Sequence, residues 1–427
     1  MHLNMETSVS VGDLSLYFAF VILTLAVVIL INYGGNYPAS FPPGPRGWPV
    51  VGNLLQVAKG DGLYGNLLKF RQEYGDVFRV QFGQQTWVFI AGHKAITETV
   101  LKMKTTEAGR PNWLYTVHTV LQGKGIIYSN GVLSAAARSF LFDALDEAKE
   151  HIEKSILANC TDIIRSIGED PDSLSQRLTE TEFATVLSLI TGERFPTASD
   201  EYHRLRQLFD ARNGGLTLGN PQNLFSWLNT FYRGKTDAAL EAQAKLIKDL
   251  SDLLMTRMEQ VDHRSECLID SYANQLKQGK LKNIDKTHIF LTMLDLALAS
   301  KDSLLAMVQW TLLNIANNAD VQSKCRQELL KTILSDDKLW TCPAQLQPER
   351  FSNPGSSDVD GKEAKYGLGS RHCPGRTLAE TFQYLVVSSI ILEYEVENLT
   401  EDKSMDSYFK SVLRPKAFNL KFNKITN

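Results

Sequence analysis

The residue best suited to chemistry is Cys373, which lies in residues 366–375 (YGLGSRHCPG). Glycines and a proline surround it, so the backbone is predicted to form a tight loop that leads into a helix opening near Pro374 and Arg376. At a helix N-terminus the free N–H groups and the helix dipole favour a thiolate, and neighbouring arginines add positive charge. Cys373 is therefore predicted to be an anion.

A stabilised thiolate can be a metal ligand, a nucleophile or a redox thiol. Nucleophilic catalysis needs a base, and His372 is adjacent in sequence, but neighbouring side chains normally point apart and no third group supports it. The residues alone leave three interpretations open, which are metal ligation, a free structural cysteine and a nucleophile.

The other cysteines narrow the class of protein. The five are Cys160, Cys267, Cys325, Cys342 and Cys373, an odd and widely scattered set. This pattern fits neither a disulfide framework nor a CxxC zinc site, and it favours a reducing compartment.

A long apolar segment is the second feature that could position a site. Residues 288–318 contain no Gly or Pro and are apolar on most of the helix circumference, which predicts a helix buried through the centre of the domain. Lys301, Asp302 and Ser303 interrupt it and need partners, water or a ligand if they are buried. A solvent-facing stripe with a local Lys–Asp pair is the alternative.

The remaining pattern is mostly helical. Two short strands are predicted from Val77 (VFRVQFG) and Thr86 (TWVFIAG). Helical spacing predicts further helices at residues 64–74, 93–104, 135–167, 179–190, 238–259 and 321–334. We therefore expect a mainly α fold with a small β-sheet.

The N-terminus predicts a membrane anchor. Residues 14–31 carry no charge, and a helix of that length reaches roughly 27 Å, close to the thickness of the hydrocarbon core. Acidic residues precede it instead of a basic n-region, so it is predicted to be uncleaved, and Arg46 behind it places the body on the cytoplasmic side. Residues 41–53 (FPPGPRGWPVVGN) follow as a stiff hinge.

Composition excludes several classes. The chain has 427 residues, 45 Lys plus Arg against 48 Asp plus Glu, and a net charge of −3. It therefore lacks the excess of basic residues that is typical of a nucleic-acid-binding protein. It has no GxGxxG or P-loop spacing, so no nucleotide-binding site of its own is predicted. One anchored domain is predicted: a membrane anchor at 1–33, a Pro/Gly-rich hinge at 34–53 and a catalytic body at 54–427.

Residues 366–375 resemble the haem-binding signature of the cytochrome P-450 family, an aromatic residue followed by GxGxRxCxG. The matching positions are Tyr366, Gly367, Gly369, Arg371, Cys373 and Gly375. The resemblance extends to the anchor, the hinge, PERF at 348–351, the central helix and RPKAF at 414–418, each in the family's order. It implies the cytochrome P-450 fold.

The resemblance also implies roles for individual residues. Cys373 would be the axial thiolate of a haem iron. Arg371 and Arg138 would bind the haem propionates, with Ser134 standing where the family's WxxxR pattern has Trp. Residues 299–303 (ASKDS) resemble the AGxDT oxygen-activation segment, so Asp302 and Ser303 would relay protons to bound dioxygen.

One departure from the family is large. The family's ExxR motif should lie between residues 321–334 and the PERF loop, but the only matches here, Glu107 with Arg110 and Glu201 with Arg204, precede the central helix. A segment is therefore predicted to be missing near residues 334–337. Arg350 would then lack its buried carboxylate partner, which would lower the free energy of unfolding by about 3 to 5 kcal/mol.

The function implied by the resemblance is that of a monooxygenase which inserts one atom of dioxygen into a lipophilic small molecule. Electrons would come from NADPH-cytochrome P-450 reductase, docked near Lys362, Lys365, Arg371 and Arg376, at the endoplasmic reticulum membrane. The alternative is a non-catalytic membrane-anchored relative, or an incomplete isoform, that does not bind haem productively. A cysteine-nucleophile hydrolase is a third hypothesis.

Overall fold

The computed structural model describes fourteen segments of the chain. They are residues 11–32, 37–38, 40–60, 62–102, 108–170, 174–216, 219–230, 234–259, 266–281, 284–334, 366–400, 407–409, 412–416 and 418–425. These segments are mainly helical and contain three two-stranded sheets, which confirms the predicted mainly α class. The chain divides into two compact units, residues 1–99 and 100–427.

The first unit contains the predicted pair of strands. Strands β1 (Val77–Phe82) and β2 (Gln85–Ile90) are antiparallel, with Val77 opposite Ile90. The helices of this part of the chain are α1 (Val11–Asn32), α2 (Leu54–Ala58), α3 (Gly62–Tyr74) and α4 (His93–Lys102).

The Pro/Gly-rich segment lies along β1. The backbone N–H of Arg79 donates to Pro43 O at 2.8 Å, and that of Asn53 donates to Gln81 O at 2.6 Å. A Cβ added at Gly44 would lie 2.1 Å from Arg79 O, so only glycine fits at this crossing. These contacts fix the segment against the first strand.

Helix α1 covers the predicted anchor. Its apolar side chains are exposed over residues 16–27, for example Leu16 at 70 % and Phe18 at 71 %. The structure describes the side chains of residues 15–27 of this helix. Within the described part of the chain, no helix combines the length and the apolar character that crossing a membrane requires.

The second unit holds the remaining elements. Its helices are α5 (Tyr115–Leu121), α6 (Gly131–Glu147), α7 (Lys149–Glu169), α8 (Leu174–Thr191), α9 (Asp200–Gly215), α10 (Pro221–Leu224), α11 (Gly234–Glu259), α12 (Leu268–Lys277), α13 (Lys286–Ala316), α14 (Ala319–Leu334) and α15 (Arg376–Glu393). Its strands are β3 (Tyr394–Asn398), β4 (Ser407–Phe409), β5 (Leu413–Pro415) and β6 (Leu420–Lys424). They pair antiparallel as β3 with β6 and β4 with β5.

Helix α13 is the predicted central helix. It begins after Asp285, whose carboxylate accepts the N–H of His288 at 2.9 Å and caps the helix. It packs against α6, α8, α11 and α15, and Ile289, Phe290 and Val308 are fully buried. The prediction of a helix buried on nearly all sides is confirmed.

The single helix predicted at residues 135–167 was wrong. The chain forms α6 and α7, separated at Ala148, where φ is −86° and ψ is 6°. Alanine is a strong helix former, so local sequence gives no sign of this break. Ala148 is itself buried, and packing fixes the turn.

Candidate functional site

The cysteine loop folds as its glycines and proline predict. A short 3-10 turn at Gly369–Arg371 precedes Cys373, and α15 begins at Arg376. The N–H of Cys373 donates to Tyr366 O at 2.7 Å, which closes the loop. Gly369 has φ of +68°, and a Cβ there would lie 3.1 Å from Val100 Cγ1. Glycine is therefore required at this position.

The thiol of Cys373 is half-buried at the start of α15. A Cβ added at Gly375 would lie 4.0 Å from Cys373 Sγ and 3.8 Å from Leu296 Cδ1 of α13. The sulfur therefore lies close to α13 and just before the N-terminus of α15. A side chain at residue 375 would therefore contact both the sulfur and the central helix.

Tyr366 and Gly367 of the same signature lie at the start of the loop. Gly367 has φ of +77°, a left-handed conformation that favours glycine. Arg376 Cζ lies 5.3 Å from the centroid of the Tyr366 ring, and burial raises the pKa of Tyr366 to about 12. The backbone conformation of Gly367 and the contact between Arg376 and Tyr366 therefore stabilise the loop.

The side chain of Arg371 is fixed by neutral acceptors. Its Nε donates to Ala108 O at 3.0 Å, one terminal nitrogen to Ser134 Oγ at 2.5 Å, and the other to Ser129 O at 2.9 Å and Asn130 Oδ1 at 3.4 Å. A guanidinium has five N–H donors, so these contacts occupy most of them. Ser134 stands where the family has Trp, and it provides an acceptor that an indole lacks.

Arg138 reaches the cysteine loop from α6. One terminal nitrogen donates to His372 O at 2.7 Å and lies 3.4 Å from His372 Nδ1. Burial lowers the pKa of Arg138, and the adjacent Cys373 opposes that shift. The nitrogens Nε and Nη1 have no hydrogen bond to the described residues, so Arg138 keeps more donors for a ligand than Arg371 does.

Sequence reasoning missed Arg110 as a site residue. Its Nε donates to Ile127 O at 2.9 Å. Burial lowers the pKa of both Arg138 and Arg371, and the charge of Arg110 adds to that lowering. Among the described residues, none of the three guanidinium groups forms a salt bridge with a carboxylate. Such a cluster beside a thiol fits a ligand that carries carboxylates and a metal, as haem does. No sequence pattern marks Arg110, because folding alone brings it to the loop.

Three consecutive polar residues of α13 bind three different elements. Ser300 Oγ donates to Glu182 Oε1 of α8 at 2.5 Å, and Lys301 Nζ lies 2.5 Å from Asp210 Oδ1 of α9. Asp302 accepts a hydrogen bond from Arg414 of β5. Partners on other elements therefore explain the polar interruption of the central helix.

The two residues predicted to relay protons have contacts away from the cysteine loop. Asp302 forms an ion pair with Arg414, and Ser303 Oγ donates to Ala299 O at 2.9 Å within its own helix. The hydroxyl of Ser303 must leave this bond before it can donate to a ligand.

A buried ion pair lies one turn before this segment and was also missed. Arg212 of α9 donates to Asp295 of α13 at 2.9 Å, and both side chains are fully buried. The second oxygen of Asp295 accepts the N–H groups of Ile126 and Ile127 at 3.1 and 3.2 Å. The pair joins α9, α13 and the loop after α5.

Several predicted positions lie outside the described residues. They are Glu107, the PERF segment with Arg350, Lys362 and Lys365, and the junction beyond Leu334.

The family model described as Cytochrome P-450 matches residues 42–337 and 329–422. Cytochrome P-450 1A1 of Canis lupus familiaris is 23% identical over 505 aligned positions, which cover 92% of this chain and 92% of the relative. Cytochrome P-450 2B2 of Rattus norvegicus is 25% identical over 334 positions, 73% of this chain and 66% of the relative. Cytochrome P-450 1A1 of Homo sapiens is 24% identical, covering 83% and 86%.

Proposed function

Because the chain belongs to the cytochrome P-450 family, we propose that it is a haem-thiolate monooxygenase that inserts one atom of dioxygen into a lipophilic small molecule. The observation that carries this proposal is the half-buried Cys373 at the start of α15, beside Arg138 and Arg371. Cys373 would hold the iron of the haem, which would supply dioxygen activation when bound.

Cys373 is the proposed iron ligand. Cys373 lies just before the N-terminus of α15, and the bond from its N–H to Tyr366 O holds the loop in place. Gly367 and Gly369 have φ values of +77° and +68°, which allow the turn.

Arg110, Arg138 and Arg371 are proposed to bind the carboxylates of the haem. Arg138 has more unused donors than Arg371 and is expected to contribute the stronger bond. Arg371 organises the wall of the site through Ser134, Ser129 and Ala108. Haem retention should therefore fall further in Arg138→Ala than in Ser134→Ala.

Asp302 and Ser303 are proposed to hold and pass protons at their carboxylate and hydroxyl oxygens, as the oxygen chemistry of a haem would need. Arg414 keeps a positive charge against the Asp302 carboxylate, which orients it. Ser303 has a rotatable hydroxyl one residue away and accepts or donates as needed. Ser303→Ala should slow turnover and leave haem content unchanged.

The partner and the location are proposed from the family. NADPH-cytochrome P-450 reductase is the proposed electron donor, and the exposed Arg376 belongs to its proposed docking surface. The exposed apolar side chains of α1 support membrane association through residues 14–31. The endoplasmic reticulum membrane is the proposed location.

A segment is proposed to be missing near residues 334–337. The two stretches matched by the family model share residues 329–337. The alignment to the canine relative spans 505 positions, more than the 427 residues of this chain, so parts of that relative have no counterpart here.

The reduced, carbon-monoxide-bound difference spectrum of the full chain tests the proposal. A red-shifted Soret band of the thiolate type is expected, and it should disappear in Cys373→Ala. Cys325→Ala is the matched control, because Cys325 is an exposed cysteine of α14, and it should keep the band. A thiolate band that survives Cys373→Ala would refute the ligand, and a folded chain with no band would favour the non-catalytic alternative.

A further inference from the structure

A cavity lies between α8, α9, α11 and α13. Its volume is about 180 Å³, which exceeds the roughly 150 Å³ of an engineered apolar cavity that binds benzene. Its buried walls are apolar and include Leu187, Ile190, Leu205, Phe209, Leu250 and Leu294. A space of this size and lining fits one aromatic ring.

The cavity and the cysteine loop lie on opposite sides of α13. Leu294 lines the cavity, whereas Leu296 approaches Gly375 of the cysteine loop. Two residues along an α-helix are separated by about 200° around its axis. A molecule in the cavity is therefore separated from Cys373 by the body of the central helix.

The polar residues of the cavity bind one another. Arg204 donates to Glu201 at 2.6 and 2.8 Å and to Asp249 of α11 at 2.9 Å. The hydroxyl of Thr191 donates to Leu187 O at 2.9 Å and accepts the N–H of Glu193 at 3.1 Å. These contacts satisfy the hydroxyl and the guanidinium, so the interior favours an apolar ligand.

The exposed polar residues set the charge at the mouth. Glu193, Glu201 and Asp249 outnumber Arg204 there. An anionic ligand would be repelled, whereas an uncharged one meets no electrostatic barrier.

We propose that this cavity is a binding site for an uncharged apolar molecule of about the size of one aromatic ring, separate from the site at Cys373. Occupancy joins α9, α11 and α13 through their apolar side chains. It should therefore stabilise the pair α9–α11 against local opening.

Hydrogen exchange of the purified full chain with benzene as the probe tests the proposal. Benzene should slow exchange in residues 200–215 and 234–259, and benzoate, which has the same ring and a negative charge, should not. Leu253→Phe fills the cavity, and it should weaken benzene binding by about tenfold or more, which corresponds to about 1.4 kcal/mol.

Leu157→Phe is the matched control, because Leu157 is 48 % exposed on α7, and it should bind benzene as the unaltered chain does. Leu253→Ala removes bulk instead, and it should bind para-xylene more tightly than the unaltered chain. Equal benzene binding in Leu253→Phe and the unaltered chain would overturn the proposal. So would a benzene effect confined to the haem absorbance, with α9 and α11 unprotected.

Discussion

Replacing Glu182 by Gln should remove a pH dependence of stability that the unaltered chain carries. Glu182 of α8 is fully buried. Its Oε1 accepts from Ser300 Oγ at 2.5 Å, and its Oε2 has no partner among the described residues. Burial raises the pKa of Glu182 to about 7, whereas Ser300, Arg206 and Lys301 oppose the rise.

The direction and the size of this pH dependence follow from the linkage between proton binding and folding. A carboxyl whose pKa in the folded chain lies above its unfolded value of 4.5 makes its full contribution to the free energy of unfolding below pH 4.5. Its contribution is lost as pH rises from there through the folded value of about 7. The shift is about 2.5 pKa units, which corresponds to about 3 kcal/mol lost between about pH 4.5 and pH 8.

The assay is urea unfolding followed by circular dichroism across this pH range. The unaltered chain should lose about 3 kcal/mol more than Glu182→Gln as pH rises. Glu150→Gln is the control, because Glu150 of α7 has a side chain 92% exposed, and it should keep the unaltered profile. Ser300→Ala should extend the loss to higher pH, because the Ser300 hydrogen bond lowers the pKa of Glu182. Identical pH profiles for Glu182→Gln and the unaltered chain would refute the reasoning.

Three further substitutions test the packing around the site by urea unfolding at constant pH. Asp295→Asn should cost about 3 to 5 kcal/mol, because it leaves Arg212 buried without its carboxylate; a loss below 1 kcal/mol would contradict a buried ion pair. Ser134→Ala should cost about 2 kcal/mol, because Arg371 loses an acceptor, and unchanged stability would show that this bond contributes nothing. Gly125→Ala should cost at least about 1 kcal/mol, because φ is +80° there and a Cβ would lie 2.3 Å from Asp295 Oδ2; a neutral result would mean that the loop can shift.

Two features of the site could be predicted from the sequence because they depend on neighbouring residues. The loop around Cys373 and the start of α15 follow from glycines, a proline and the end of an apolar pattern. The central helix follows from apolar residues all round its circumference, and α13 begins and ends within two residues of its predicted bounds. The break at Ala148 could not be predicted, because alanine favours helix on both sides of it.

Only the tertiary structure decided which polar groups meet. Glu182 and Ser300 are 118 residues apart in sequence, and Arg212 and Asp295 are 83 apart. Folding brings Arg110 near Arg138 and Arg371, and no local sequence pattern predicts this proximity. Each of these groups is an ordinary polar side chain in the sequence. Burial makes a missing partner costly, and only the packing of distant helices determines which partner is present.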